Sequence, residues 1–482
     1  TAQGLSMAKA VGSLPYDRTR VTPGMVHLGV GAFHRAHVAS YIDSILSLDP
    51  SWGIIGASLR RPDTRQALAS QDFLYTLAIR SAAGTDNRII GSLLDVLDAS
   101  TQRDQLLATM ADPRIRIVSL TVTEKGYCHD PATGDLDRSH PEIVHDLANP
   151  AEPVSAPGLI VRALELRKNA GIAPFTVMSC DNLPANGQTT ARIVAGFAAQ
   201  RSAELEKHIR ANVAFPSTMI DRIVPATTDE DRRLVTSTTG LRDEWPVVTE
   251  PFTQWVVEDH FTMGRPPLES AGVELVSDVA PFELMKLRML NGSHSTLGYL
   301  AGHEYVSQVI AEPAFRALAH RLMTDEVIPT LKMNQDKLAA YRDALLARFS
   351  NPALKHRTWQ IAMDGSQKLP QRLLGTIRDR LAKGLAADCA TLGVAAWMRY
   401  AAGIDEHGHA IDVKDPLAPR LKAIGDAARQ NPTRLVDGML TVREVFGEDL
   451  PHSAPFKNCL VKHATSLFEL GAAETVRNML AN

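Results

Sequence analysis

Val26-His27-Leu28-Gly29-Val30-Gly31-Ala32-Phe33-His34 decides how the first half of this 482-residue chain folds. An apolar run ends in Gly-x-Gly, and a helical pattern follows at once. Residues 25–30 read as a strand and residues 34–48 as a helix, with the two glycines in the turn between them. Glycines there let the backbone come close to a pyrophosphate, which the amides and dipole of a helix N-terminus then stabilise. His34 stands where the usual fingerprint has a third glycine. The fingerprint is therefore incomplete, and a tight strand–helix turn without a ligand is the competing reading.

Working outward, residues 52–58 give a second strand and the β-branched run 115–123 another. Residues 155–170 read as a helix, with Ser155 as N-cap, Pro157 in the first turn and Gly171 as a stop. A strand at 174–180 follows. Alternation of this kind predicts a parallel, doubly wound α/β sheet, and 217–225 and 247–259 read as further strands of the same domain. After residue 278 the pattern becomes helical. The segments 281–300, 313–326, 336–349, 366–383, 388–402, 416–430, 433–446 and 455–470 all carry a helical period. The expectation is a Rossmann-type domain over 1–278 and an all-helical domain over 279–482, because a chain this long outgrows one core.

Composition narrows the class. Hydrophobic residues make up 45% and charged residues 22%, with a net charge of −3. Neither a basic surface nor a basic, aromatic-interleaved stretch is present, which argues against a nucleic-acid partner. No apolar run approaches the ~20 residues that span a bilayer, and residues 1–12 do not read as a signal peptide. Cys128, Cys180, Cys389 and Cys459 lie far apart without a Cys-x-x-Cys pair. They read as reduced thiols of a cytoplasmic protein. The expected partner is a small molecule, and the expected assembly a monomer or weak homo-oligomer.

Several positions carry chemistry. The second strand ends Ser58-Leu59-Arg60-Arg61-Pro62-Asp63. Asp63 could hold adenosine ribose hydroxyls, although it comes later than the customary ~20 residues after the glycines. Arg60 and Arg61 could instead meet a 2′-phosphate, so NAD is expected while NADP stays open. Asn182 follows the strand at 174–180, where an amide can donate to a developing alkoxide; the alternative is a turn-forming Asx residue. Thr121, Thr123 and Glu124 would sit at the nicotinamide end by the same strand-terminus rule. His34 and His37 are three apart, but no Cys or Asp cluster at ligand spacing completes a metal site, and no metal is expected.

The stretch Glu283-Leu284-Met285-Lys286-Leu287-Arg288-Met289-Leu290-Asn291-Gly292-Ser293-His294 opens the second half. At about 100° per residue, Glu283, Lys286, Leu287, Leu290, Asn291 and His294 share one helix face. Burying a carboxylate, an amine, an amide and an imidazole there costs several kcal/mol unless they are paired. This reads either as satisfied polar groups at a domain boundary or as a proton-transfer site with Lys286 as acid/base. Farther on, Arg357, Lys368 and Arg372 form a cationic span that suits a substrate carboxylate or phosphate. A solvated helix face or a capping role would account for at least one of them.

These pieces together resemble the polyol-specific long-chain dehydrogenase/reductase family, the mannitol dehydrogenase family. The resemblance rests on His27-Leu28-Gly29-Val30-Gly31-Ala32-Phe33-His34-Arg35-Ala36-His37, Thr121-Val122-Thr123-Glu124-Lys125-Gly126-Tyr127, Val177-Met178-Ser179-Cys180-Asp181-Asn182, Asp221-Arg222-Ile223-Val224-Pro225, Glu250-Pro251-Phe252 and Lys286 through His294. Within the family, 281–295 and 356–374 resemble the fructuronate reductases, also called mannonate oxidoreductases. Gln360 stands where mannitol dehydrogenases carry an arginine toward the polyol. The resemblance implies a metal-free, NAD-dependent reduction of a keto sugar acid. The coenzyme contacts it implies are Gly29, Gly31, Ala32, Phe33, His34, Arg35, Asp63, Thr121, Thr123, Glu124 and Asn182.

It further implies that Lys286 gives a proton to the ketone oxygen, with its pKa lowered by apolar burial and by the oxidised coenzyme. Asn182 and Asn291 would hold that oxygen, His294 orient the substrate, Asp221 bind a hydroxyl, and Glu283 relay protons. Arg357, Lys368 and Arg372 would bind the acid. The alternatives are a mannitol or arabinitol dehydrogenase and, in another class, a nucleotide-binding sensor without turnover.

Overall fold

The computed structural model describes residues 14–130, 133–300 and 302–481. Residues 1–12, on which the expectation of no signal peptide rests, lie outside them. The chain separates into two compact units, Thr1–Ala280 and Pro281–Asn482.

Eleven strands occur in the first unit among the described residues. They are β1 (Pro23–Leu28), β2 (Gly53–Ser58), β3 (Tyr75–Ser81), β4 (Gly84–Ile90), β5 (Leu93–Asp98), β6 (Ile117–Leu120), β7 (Thr176–Ser179), β8 (Thr218–Asp221), β9 (Val247–Thr249), β10 (Gln254–Glu258) and β11 (Glu274–Val276). Five of them make a parallel sheet in the order β5-β2-β1-β6-β7. The order runs outward in opposite directions from β1 and β6, so the switch point lies at their carboxyl ends, where ligands of such sheets collect. Both faces of this sheet are buried. Met25, Ile54, Val96 and Ile117 pack into one core, and Val26, Ala57, Leu97 and Val118 into the other. Coverage on both sides is what a parallel sheet of apolar strands requires.

Local signals act as expected in the first unit, with two corrections. The Ser155 hydroxyl accepts the Gly158 amide at 3.0 Å and starts the helix Ala156–Asn169, with Pro157 in its first turn. The helix expected over 34–48 is in fact two, α1 (Ala32–Ala36) and α2 (Val38–Ile45), because His37 leaves helical geometry at φ −120 and ψ −88. The run 247–259 is likewise broken. β9 joins the side sheet β4-β3-β9 and β10 joins β11-β10-β8. Pro251 between them has no amide for a ladder. The hairpin β3–β4 and the edge strand β5 had not been expected.

The second unit is helical among the described residues and holds only isolated bridges besides. Its elements include α3 (Gly292–Leu300), α4 (Gln335–Phe349), α5 (Asp388–Ala401) and α6 (Ala454–Ala481), the last kinked at Gly471. Three helices expected to be continuous contain π-helical segments: Lys286–Asn291, Leu322–Val327 and Pro370–Leu374. In the third, Pro370 cannot donate its bond, which favours a widened turn. No helix among the described residues is long and apolar enough to cross a membrane.

Candidate functional site

Each unit builds its own part. In the first, a cavity of about 480 Å³ opens at the carboxyl ends of β1, β2 and β6, lined by Gly29, Gly31, Ser58, Arg60, Arg61, Thr64, Thr121 and Thr123 among others. Gly29 sits at φ +93, and a Cβ there would lie 2.2 Å from the Thr121 carbonyl oxygen. Gly31 is different. Its φ is −97, and a Cβ would meet nothing within 4 Å. Neither strain nor packing asks for glycine at Gly31. A side chain there would intrude only on what approaches the turn, which fits a pyrophosphate at the start of α1.

Buried polar groups fix this rim. The Thr121 hydroxyl donates to the Gly29 carbonyl at 2.8 Å, so it accepts from His27 Nε2, also at 2.8 Å. His27 Nδ1 then accepts from the Ser119 hydroxyl at 2.8 Å. Burial pushes the His27 imidazole down to about 3, so it stays neutral. At the end of β7, Asp181 takes the amides of Val122 and Thr123, both at 3.0 Å, and the Tyr127 hydroxyl at 2.8 Å. This holds Thr123 at φ +63, a costly conformation for a β-branched residue and one typical of binding loops.

The structure sorts the expected coenzyme residues into two groups. Gly29, Gly31, Thr121 and Thr123 line the cavity. Ala32 and Phe33 are half-buried in the first turn of α1, and Asn182 is exposed on the bend after β7. His34 and Arg35 are framework instead. His34 is fully buried, stacked on His27 at 3.6 Å, and its imidazole lies well below its usual range because it is desolvated. The stack fills the space between strand and helix that a third glycine would otherwise close. Arg35 is buried over the Tyr75 and Trp245 rings and donates to the Trp245 carbonyl.

Asp63 does not line the cavity. It is exposed in the first turn of the helix Asp63–Ala69, where it complements the helix dipole. Glu124 is exposed too, 4.0 Å from His129. Glu142 does line the cavity and pairs with Arg60 at 3.0 Å, and nothing in its sequence context signalled it. Asp221 closes β8, opposite Gln254, and is buried.

In the second unit the face expected from a 100° wheel is corrected by the π-helical segment. Its i→i+5 bonds widen one turn between Glu283 and His294, so residues on either side change phase; such turns recur at functional sites. Lys286 and Asn291 form the ends of that segment and are half-buried, as is Glu283. Arg288 is the buried cation of the stretch and is tied off, donating to Asp379 at 2.6 Å and Thr330 at 2.8 Å. Gly292 lets the neighbouring π-segment come close, since a Cβ would lie 2.9 Å from the Arg372 carbonyl oxygen.

His294 is buried, with its ring 5.0 Å from His356 and 4.5 Å from Phe349. Its Nε2 has no hydrogen-bond partner among the described residues. Desolvation first, then the charges of His356, Arg348 and Arg372, hold it far below its usual range. Arg372 donates to the Ser295 hydroxyl at 3.1 Å, and burial first, then the Arg372 charge, lowers the Lys368 amine. Lys368 itself donates to the Met363 carbonyl at 2.5 Å. Of the three expected cations, Arg372 therefore belongs to this corner, and Lys368 lies beside Arg372. Arg357 is exposed, over the Tyr305 ring and 3.8 Å from Glu304. Arg348 and His356 were missed. The cue for Arg348 was a cation within the apolar run of α4, and His356 immediately precedes the span already singled out.

Comparison with known proteins agrees with this two-part plan. Residues 23–270 match the Mannitol dehydrogenase Rossmann domain model, and residues 278–468 match the Mannitol dehydrogenase C-terminal domain model. The D-mannonate oxidoreductase of Escherichia coli (strain K12) is 47% identical over 470 residues, covering 96% of each chain. An uncharacterized oxidoreductase of the same organism, YeiQ, is 47% identical over 473 residues, again with 96% of each covered. The ternary complex of Pseudomonas fluorescens mannitol 2-dehydrogenase with NAD and D-mannitol superposes with a TM-score of 0.85 at 39% identity, covering 100% of this chain and 99% of that one. With both halves matched and relatives of this identity along its whole length, the chain belongs to the mannitol dehydrogenase family of oxidoreductases, which act on CH–OH groups.

Proposed function

We propose that the chain uses NAD to reduce a keto sugar acid reversibly, fructuronate to mannonate. The observation that carries the choice of an acid is the corner around His294, where burial and the charges of Arg348 and Arg372 hold the imidazole neutral, with Lys368 beside Arg372. Cations in a partly dry site favour a carboxylate, which forms charge-assisted bonds that a neutral polyol does not reproduce. The relative named for mannonate supports the same reading. For the coenzyme, support comes from Gly31, whose missing side chain leaves room for a pyrophosphate, and from the relative solved with NAD. A cytoplasmic setting suits four cysteines that are all free thiols.

When bound, the reduced coenzyme supplies the hydride that the substrate ketone carbon receives. Lys286, as ammonium, donates a proton to the ketone oxygen, and as the neutral amine it takes the hydroxyl proton in the oxidative direction. Asn291 and Asn182 donate amide hydrogen bonds to that oxygen as its negative charge grows. His294, neutral and with a vacant Nε2, meets a substrate hydroxyl without adding charge. Glu283 relays protons to Lys286, and Asp221 binds a further hydroxyl.

The test is coenzyme consumption followed with fructuronate and with fructose, and coenzyme reduction followed with mannonate and with mannitol. The expected result is an acid-specific enzyme. Equal efficiency on fructose and fructuronate, or oxidation of mannitol alone, overturns it in favour of a polyol dehydrogenase. No turnover with any of the four points to the sensor.

A further inference from the structure

A trio of side chains in the second unit has no part in the chemistry above. Asp388 opens α5, while Cys459 and His463 stand one turn apart on α6. The Cys459 thiol donates to Asp388 Oδ1 at 3.1 Å, and His463 Nε2 lies 3.2 Å from the same oxygen. One donor atom from each of the three falls within 4.8 Å of the others. His463 is 2% exposed, and the other two are half-buried.

The carboxylate of Asp388 is not occupied in neutralising its own helix. Glu326 does that instead, accepting the amides of Cys389 at 2.7 Å and Ala390 at 2.9 Å. Asp388 is thereby left facing a sulfur and an imidazole nitrogen. Beside Cys459 a mostly apolar cavity of about 310 Å³, lined by Leu381, Leu385, Pro455 and Phe456 and with Thr391 as a polar side chain, gives access to the sulfur.

We propose that Asp388, Cys459 and His463 bind a borderline-soft divalent cation of the Zn²⁺ class, which ties α6 to α5. A thiolate and an imidazole at helical i, i+4 spacing, with a carboxylate from the facing helix, suit that cation, and three protein ligands leave its fourth position to water. On binding, the S–H bond of Cys459 breaks, its proton passes to solvent, and the sulfur lone pair goes to the metal. Nothing is oxidised or reduced. Without a cation, burial and the Asp388 carboxylate push the thiol up to about 12. The other grouping of this kind, Cys128, His140 and Glu142, is already committed. His140 Nδ1 caps the Glu142 amide at 3.3 Å, and Glu142 pairs with Arg60. It serves as the control.

The full-length protein, stripped with chelator, is titrated with Co²⁺ as a spectroscopic probe and then with Zn²⁺. A saturable near-ultraviolet thiolate-to-cobalt band at one equivalent is expected, abolished by Zn²⁺, and Zn²⁺ should raise the thermal midpoint. Cys459→Ser should remove the band, Cys128→Ser should keep it, and His463→Gln should weaken binding by at least about tenfold, the low end of what even outer-shell changes cost. Should the α6 variants fail to fold, the wild-type titration and Cys128→Ser still decide. Absence of a saturable band, survival of the band in Cys459→Ser, or its loss in Cys128→Ser each overturns the site.

Discussion

The turn after β1 and the segment Lys286–Asn291 both interrupt a regular element beside polar chemistry, and they do so by opposite means. The first is set by residue type. Gly29 is left-handed and pressed against Thr121, and only glycine tolerates both conditions. The second contains no glycine or proline at all; Lys-Leu-Arg-Met-Leu-Asn is an ordinary helical sequence. What accompanies its widened turn is a tertiary neighbour, the backbone of Arg372 lying over Gly292. One irregularity is steric and local, the other a matter of phase imposed by packing.

If the widened turn exists to present Lys286, then removing that amine should give the largest effect of all. Lys286→Ala is expected to lower kcat by ~10²–10⁴, the usual worth of a general acid/base, with coenzyme affinity measured by nicotinamide fluorescence almost unchanged. A variant that keeps more than about a tenth of the rate would falsify the assignment.

The cationic corner comes next. Arg372→Gln should reduce kcat/KM for fructuronate by about 10², or about 2.7 kcal/mol, while touching fructose little. Arg357→Gln, at an exposed guanidinium, should change neither by more than about twofold, as surface pairs are worth ~0–1 kcal/mol. Reversal of these two results would move the acid-binding role to Arg357.

How far the sequence reached follows from the same contrast. Strand–Gly-x-Gly–helix, the Ser155 cap and the change of period after residue 278 are local patterns, and each describes its own few residues without outside help. The π-segments, by contrast, depend on neighbours distant in sequence. So does Arg35, a residue inside the motif that packs on Tyr75 and Trp245 rather than lining the cavity. Asp63 shows a third limit. An acid at the end of the second strand, later than the customary spacing, was read as one candidate for the ribose, whereas Pro62 starts a helix that sets it in solvent. Arg348, His356 and Glu142 reach their places only through packing, so single-chain periodicity could not assemble them.

The two glycines separate strain from ligand approach. Gly29→Ala should cost more than about 2 kcal/mol in urea unfolding, since a left-handed alanine is strained and its Cβ would collide with Thr121. Gly31→Ala should stay within about 0.5 kcal/mol yet weaken coenzyme binding at least several-fold. Loss of stability in both, with coenzyme affinity intact, would make the turn purely structural.

Acid should act on stability through the buried imidazoles. A folded pKa below the unfolded one means that the unfolded chain binds more protons, so stability falls as pH drops below 6.5 and is fully present above it. With His27 at about 3 when folded, this one residue should remove about 2 kcal/mol between pH 7.5 and pH 5, at 1.36 kcal/mol per pKa unit. His294 and His356 act in the same direction. Urea midpoints that stay level over that range would contradict neutral burial of these rings.

The smallest expected effect is the one that separates chemistry from scaffold within the helical unit. Prolonged dialysis against a strong chelator should leave kcat and KM at assay temperature unchanged, because in the proposed mechanism the proton comes from an amine and the substrate is held by cations and amides. If Asp388, Cys459 and His463 hold a metal, the same treatment should lower the thermal midpoint, since a ligand bound only to the folded state stabilises it by mass action. Turnover lost on chelation and restored by Zn²⁺ well below the unfolding transition would overturn the metal-free proton transfer and bring the two parts of the helical unit under one mechanism.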